Sequence, residues 1–416
     1  MIMLGRIAFS LALTATTLFG TMAAAGDRAP LQIFVSKDKQ SLVVYDGDQV
    51  VTTSKVSTGK RGHTTPSGIF SIIEKKKMHH SNLYDDAPMP FMQRITWSGV
   101  ALHESRHVPN YPASHGCVRM PRAFAIELFG MTKRGFHVVI SDREIAPRAV
   151  VGANLFMPRF PKPEGELLSD AQLRPTVIGD KAVEVAMTET LPKIGAEAVA
   201  EMPKPEPAVK ILISRAAERQ KMADAQAMLA RLGYYDGPID GAIGTRSRDA
   251  IKAYQEIHGQ KPTGVMDEAF LVSIHKVMNR KPLTGWLSVR RNFKPIFGVA
   301  VDIADPQVAL GTHFFTANRV NPAQNRAEWF VATLDNHIPA KTMKRLGITV
   351  PADATAPDAA EAAFKRVAIP AEIRARLETM LGAGSSLTIT DTGTESETGQ
   401  GTDFITITKA LPKTEG

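Results

Sequence analysis

The sequence predicts a multi-domain chain: a β-rich N-terminal domain, a small three-helix domain, and a C-terminal α+β unit. Three observations predict it. A length of 416 residues accommodates two or three domains, each with its own core. Short apolar or alternating runs dominate from Leu31 to Asp142 and return from Leu287, whereas residues 215–280 carry apolar side chains at helical spacing. Between the first two regions the composition shifts to Pro, Ala, Glu and Lys. The boundaries read as a leader over 1–25, a first domain over 30–143, a linker over 144–214, a helical domain over 215–280 and a last unit over 285–410.

The leader is read from Arg6, the apolar run Ile7–Phe19 and the small residues Met22-Ala23-Ala24-Ala25, the pattern of a cleavable signal peptide. The apolar stretch is too short to favour the alternative of an uncleaved anchor, and no later segment is long and apolar enough to span a bilayer. The expectation is an exported, periplasmic protein with no stable membrane span in its mature form.

In the first domain, Leu31–Val35 and Ser41–Tyr45 read as strands, and Asp46-Gly47-Asp48 as the hairpin turn before Val50-Val51. Gly68–Ile73, Val100–Leu102 and Val138–Ile140 are further strands. Pro121 opens a helix with Phe124, Ile126, Leu128 and Phe129 at apolar spacing. In the helical domain Met222, Ala225, Met228, Leu229 and Leu232 share a face, and Gly233 stops the helix. Thr245 is read as the cap of a second helix, and Thr263–Asp267 as a turn and cap leading into a third.

A net charge of +8 suits an anionic partner such as wall polymer, nucleic acid or lipid headgroups. Nucleic acid is set aside because no basic run is interleaved with aromatic residues. The chain holds one cysteine, so no disulfide framework forms within it. Such a residue is either a buried inert thiol or a reactive one, and its neighbours decide. Ala101-Leu102-His103-Glu104-Ser105-Arg106-His107 and Ser114-His115-Gly116-Cys117-Val118-Arg119 collect the thiol, three imidazoles, a glycine and the Arg119 guanidinium, all within the 17 residues from His103 to Arg119. A thiol attacks carbonyls as thiolate, which needs a nearby base or positive field. Glycine before it lets backbone N–H groups face a developing oxyanion, and an arginine two residues on can hold a carboxylate.

These residues resemble the signature of the L,D-transpeptidases, and Ser57-Thr58-Gly59 with Thr65-Pro66-Ser67-Gly68-Ile69-Phe70 resemble that family's other fingerprint. The likeness spans roughly residues 31–142. It implies Cys117 as nucleophile, His103 as general base, the N–H groups of Gly116 and Cys117 as oxyanion hole, and Arg119 and Ser114 as positioning groups for the donor stem. His115 would orient neighbours, and Tyr84 and Trp97 would line the cleft, with core packing the plainer reading for both. No cofactor and no metal are implied. The partners implied are peptidoglycan stem peptides and the sacculus. Position 104 is Glu where the family usually has a small residue, and the loop from His103 to Ser114 is short for the family.

Two other readings remain open at this point. His103-Glu104-x-x-His107 matches the zinc-protease spacing, which works only on a helix; the strand-like run before it and Pro109 and Pro112 after it oppose that. A non-catalytic wall-binding scaffold is the other. The acceptor of the acyl group (stem diaminopimelate, water, a D-amino acid or a protein lysine) is not fixed by the sequence.

Residues 222–278 resemble the small three-helix peptidoglycan-binding domain, through Ala227–Thr245 and Ala250–Gln255. In the last unit, Ile369-Pro370, Leu377, Met380, Gly384 and Ile389 to Asp391 line up without gaps on Met120-Pro121, Leu128, Met131, Gly135 and Ile140 to Asp142. Leu287 to Phe314 echoes Leu42 to Phe70. The expectation is a degenerate second copy of the catalytic fold, without a cysteine, with Pro351–Thr355 roughly where the signature falls.

Overall fold

The computed structural model describes residues 30–81, 86–150, 154–159, 207–393, 398–399 and 401–409. The leader and the middle of the linker lie outside the described residues, within which no helix is long and apolar enough to cross a membrane.

The N-terminal domain opens with β1 (Gln32–Ser36), β2 (Ser41–Asp46), β3 (Gln49–Lys55) and β4 (Ser67–Ser71). Four short strands follow, β5 (Glu74–Lys76), β6 (Met92–Arg94), β7 (Ala101–Glu104) and β8 (Val118–Met120), then α1 (Arg122–Met131) and β9 (His137–Ser141). The main sheet runs β4-β9-β1-β2-β3, with β1 parallel to β9 and every other pair antiparallel. The short strands β5-β6-β7-β8 make a separate sheet. Strands β1, β4 and β9 are buried at every position because both faces of the sheet are covered. Ile33, Val35, Leu42, Phe70, Val138 and Ile140 face α1 and the short sheet, meeting Leu128, Leu102, Val118 and Met120. Helix α1 starts after Pro121 and buries Phe124, Ala125 and Leu128; Ile126, expected inward, faces solvent.

Beyond this domain come β10 (Arg148–Ala149), β11 (Lys210–Arg215), α2 (Glu218–Arg231), α3 (Thr245–Ile257) and α4 (Glu268–Val277). Then follow β12 (Gly285–Arg291), β13 (Lys294–Ile303), β14 (Thr312–Asn321), β15 (Arg326–Leu334), α5 (Ala340–Leu346) and α6 (Ala359–Lys365). The last elements are β16 (Val367–Ala368), α7 (Ala371–Met380), β17 (Ser386–Thr390) and β18 (Thr406–Thr408).

The second large sheet contains the order β14-β17-β11-β12-β13. Its one parallel pair is β11 with β17, and β14–β17, β11–β12 and β12–β13 are antiparallel. That is the topology of β4-β9-β1-β2-β3, strand for strand. Helices α1 and α7 are both 10 residues long and both follow a proline. The C-terminal unit therefore repeats the topology of the N-terminal domain.

The repeat begins earlier than the sequence pattern indicates. Its first strand, β11, falls inside the stretch read as linker, and all six of its residues are buried. A strand covered on both faces lacks the alternation that marks a half-buried one, and Pro-rich sequence precedes it. The three-helix domain consequently sits inside the second copy, between β11 and β12. Its two ends are neighbours: Arg215 pairs with Gly285, and Ala216 N–H donates to Thr284 O at 3.1 Å. The start of the linker is also built in, with Leu155 and Phe156 buried in the second copy's core and Trp329 Nε1 donating to Phe156 O at 2.9 Å.

The helical domain closes on Met222, Met228, Leu229, Ile251, Tyr254, Phe270 and Ile274. Asp267 caps α4 by accepting from Phe270 N–H at 2.9 Å. Thr245 is the first residue of α3, not its cap; Gly244 holds that position and no side chain bonds there.

The two copies pack back to back. Phe34, Tyr45, Ile69 and Val139 meet Phe314, Ala332 and Leu334. Among polar groups at this interface, Lys210 Nζ lies 2.7 Å from His137 Nε2, and Gln32 Nε2 donates to Thr316 Oγ1 at 2.5 Å. Strand β18 pairs antiparallel with β4, Thr406 opposite Ile69, so the segment after β17 completes the edge of the first sheet.

Candidate active site

The segment carrying Cys117 is held by the two stretches that resemble the family's other fingerprint. Ser57 and Arg119 exchange backbone hydrogen bonds at 3.0 Å, and Ser114 N–H donates to Thr58 O at 3.0 Å. Thr65 Oγ1 donates to Gly116 O and accepts from Gly59 N–H, both at 2.8 Å. A side chain at Gly59 would place its Cβ 1.9 Å from His63 O, so only glycine fits there. Gly116 has φ +118°, a conformation that L side chains rarely adopt, and this turns the chain sharply just before the thiol.

Strand pairing sets the strand of His103 beside the strand that follows Cys117. In the parallel β7–β8 ladder Leu102 faces Val118 and His103 faces Arg119. Alternation puts Leu102 and Val118 into the core and His103 and Arg119 on the opposite face, and Cys117, the residue before β8, lines the same cleft as both. His103, Ser114, His115, Gly116, Cys117 and Arg119 all line one open cleft of about 720 Å³.

Cys117 is half-buried against Met89, Met92 and Ala101, and its Sγ donates to Gly99 O at 3.6 Å. Burial pushes its thiol pKa up, against a backbone hydrogen bond from Ala101 and the charges of Arg119 and Arg94. His103 is buried, and its Nδ1–H donates to Glu104 O at 2.6 Å, the tautomer that leaves Nε2 as a proton acceptor. Burial lowers the His103 pKa to about 4, with the Glu104 carbonyl opposing and Arg119 adding to the drop. Near neutral pH, burial thus favours the neutral thiol at Cys117 and the neutral imidazole at His103.

Other expected site residues bond within the turn or stand apart from the cleft. Gly116 N–H donates to Ser114 Oγ at 3.1 Å, so one of the two expected oxyanion donors is engaged within the turn. Ser114 Oγ in turn donates to Cys117 O at 2.5 Å, so its hydroxyl staples the turn. Trp97 is not among the residues lining the cleft; it is 48% exposed and stands beside Gly401 of the segment before β18. Tyr84 lies outside the described residues. His115 is exposed, its ring 4.8 Å from that of His63, and its pKa is lowered by partial desolvation and by the charges of Lys60, His63 and Arg119. The zinc reading loses its basis: residues 101–104 are a strand followed by an exposed loop, so His103 and His107 do not share a helical face.

The cleft has a wall that sequence reasoning missed. Arg94, on β6, bonds Glu74 at 2.9 Å and His79 Nε2 at 3.1 Å, and Arg94 and His79 both line the cleft with Met78 and Met89. These residues are scattered over short strands and carry no spacing that would have marked them. Glu104, unusual at its position, is buried and paired with Arg122 at 2.8 Å.

The second copy's counterpart of this cleft is sealed. Arg366 immediately precedes β16 and α7, as Cys117 precedes β8 and α1. Its guanidinium bonds the carbonyls of Ala304, Val308, Ala309 and Asp305 at 2.7–3.1 Å. The equivalent of the thiol is thus Arg366, not a residue of Pro351–Thr355 as the sequence alignment suggested.

Two family models match segments of this chain. The family model of the L,D-transpeptidase catalytic domain (YkuD) matches residues 30–140, and that of a peptidoglycan binding domain matches residues 218–274. Similar solved structures include an L,D-transpeptidase from Xylanimonas cellulosilytica, 29% identical, covering 27% of this chain and 61% of that one, TM-score 0.25. Others are an L,D-transpeptidase from Mycobacterium smegmatis (21% identical, 27% and 59% covered, TM-score 0.26) and one from Stackebrandtia nassauensis (24%, 29% and 58%, TM-score 0.26). The chain is also 46% identical over 52 residues to the localization factor PodJL of Caulobacter vibrioides, which is 12% of this chain and 5% of that protein. It thus spans under two thirds of each of these relatives. Residues 30–140 thus match the L,D-transpeptidase catalytic domain family and residues 218–274 the peptidoglycan binding domain family.

Proposed function

We propose that this chain is an exported L,D-transpeptidase that acts on peptidoglycan in the periplasm. The Cys117 sulfur attacks the carbonyl of the third residue of a tetrapeptide stem, and His103 Nε2 takes the thiol proton. The C–N bond to the terminal D-alanine breaks, His103 returns the proton to the departing amine, and a thioester remains on Cys117. An amine acceptor then displaces the sulfur; with diaminopimelate of a second stem the product is a 3→3 crosslink. Water, a free D-amino acid or a protein lysine would give hydrolysis, exchange or anchoring from the same acyl-enzyme.

The observation that carries this reading is that Cys117, just before β8, and His103, on its neighbour β7, line one open cleft, with His103 Nδ1 already engaged. The inserted helical module would hold the enzyme on the sacculus and raise local substrate concentration. Incubation with purified disaccharide-tetrapeptide, with products identified by mass spectrometry, tests the proposal. Release of D-alanine and a new stem linkage are expected, and the mass of the second product names the acceptor. Unaltered substrate would overturn it.

A further inference from the structure

Glu104 is the last residue of β7, and an exposed loop follows it. Strand ends beside exposed loops fray unless tied down. This one is tied at several points. Glu104 N–H donates to Pro90 O at 2.9 Å, and Ser105 N–H donates to Met120 O at 2.9 Å. The Glu104 carboxylate, 8% exposed, meets Arg122 NH1 at 2.8 Å. Arg122 is the first residue of α1, two residues after the end of β8, and its guanidinium stands 5.7 Å over the Phe91 ring. The ion pair therefore links the strand of the imidazole to the helix that directly follows the strand of the thiol. The same Glu104 supplies, through its carbonyl, the acceptor that orients His103 Nδ1.

We propose that the Glu104–Arg122 ion pair is a positioning element for the base: it fixes the Glu104 carbonyl, and through it the ring of His103, against Cys117. This rests on the reading of Cys117 and His103 given above. A buried carboxylate deprived of its partner moves toward water, and here it would carry the end of β7 with it. The imidazole would then keep its place in the sequence but lose the geometry that proton transfer needs.

The test is the pH dependence of Cys117 alkylation by iodoacetamide in the full chain, together with turnover of disaccharide-tetrapeptide and a thermal melt. Glu104→Ala and Arg122→Ala should each slow alkylation at neutral pH about tenfold and move the profile to higher pH, as expected for a misplaced base. Glu104→Gln, whose amide oxygen still accepts from Arg122, should stay within about threefold of the parent. In a His103→Ala background, Glu104→Ala should add nothing, because it acts through the residue already removed. If Glu104→Ala fails to fold, Arg122→Ala carries the same comparison, since that side chain is 66% exposed. Folded single variants with an unchanged profile, or a full additional loss in the His103→Ala background, would overturn the proposal. An unchanged profile in His103→Ala itself overturns both, and locates the fault in the choice of base.

Discussion

The two copies of the β-fold differ most where they would be expected to matter most. In the first, the residue before the strand–proline–helix unit is Cys117, and it opens onto a cleft. In the second it is Arg366, with its guanidinium spread over four carbonyls of the adjoining loop. The first copy adds the short sheet β5–β8 beside its core strands, which supplies His103; the second instead widens its main sheet with β15 and β10. One scaffold therefore supports an open polar site or a closed structural one, according to what lies between its fourth strand and its helix. The sealed copy covers the back of the open copy's sheet, so its apolar strands are needed even where its chemistry is absent.

The largest expected effect separates the copies outright. Cys117→Ala should abolish D-alanine release, since the covalent route has no substitute for the sulfur. Arg366→Ala should leave that reaction within about twofold. It should instead speed amide hydrogen exchange across residues 304–309, where four carbonyls lose a charged donor, each bond contributing about 1.5–3 kcal/mol. Equal activity losses in the two variants would mean that the second copy shapes the cleft.

Next in size, His103→Ala should lower turnover about 10²–10⁴-fold and shift Cys117 alkylation to higher pH, whereas His107→Ala should cost less than about tenfold. In the same assay His115→Ala should disturb turnover with little change in the alkylation profile. Because His103 is held neutral down to about pH 4, its ionisation should not depress turnover between pH 7 and about 5. A steep fall centred near pH 6.5 would show that it titrates as an exposed imidazole.

Excising the helical module should weaken sacculus binding more than turnover of small soluble muropeptides. The cut belongs between Ala217 and Thr284, because Arg215 and Gly285 are paired strand residues that a short turn can rejoin. Equal losses on both substrates would mean that the module forms part of the site.

The smallest expected effect is shared by the copies. Burial lowers the pKa of His103 in one and of His313 in the other from 6.5 to about 4. The unfolded chain thus takes up protons first, so this contribution to stability is complete above about pH 6.5 and is lost as pH falls through about 4. Urea unfolding across that range should show the loss, and His313→Asn should make it shallower.

Much of this was legible in the sequence. Ser114 to Arg119 pointed to a segment that lines the cleft, because a short run in one turn keeps its spacing wherever the strands lie. The constant offset from Met120–Asp142 to Ile369–Asp391 revealed the repeat for a similar reason: helix and strand there are short and ungapped. Strand β11 was not legible, since its partner β12 is separated from it by a whole domain and its burial removes alternation. Arg366 was missed because a plug of this kind depends on backbone carbonyls, which carry no residue code. The roles of Ser114 and Gly116 N–H depend on hydrogen bonds inside a single turn, a level of detail that a motif does not encode.

The pairing of β18 with β4 has a consequence for how the molecule is made. It joins residue 406 to residue 69, and β11 must likewise wait for β17, joining residue 211 to residue 387. Contacts so distant along the chain form slowly, after nearby ones. During synthesis the first domain would leave the ribosome with β4 as an open edge able to pair with any other strand. That edge is closed only when the second copy has emerged, so protection from misassembly arrives late and from the far end of the described chain.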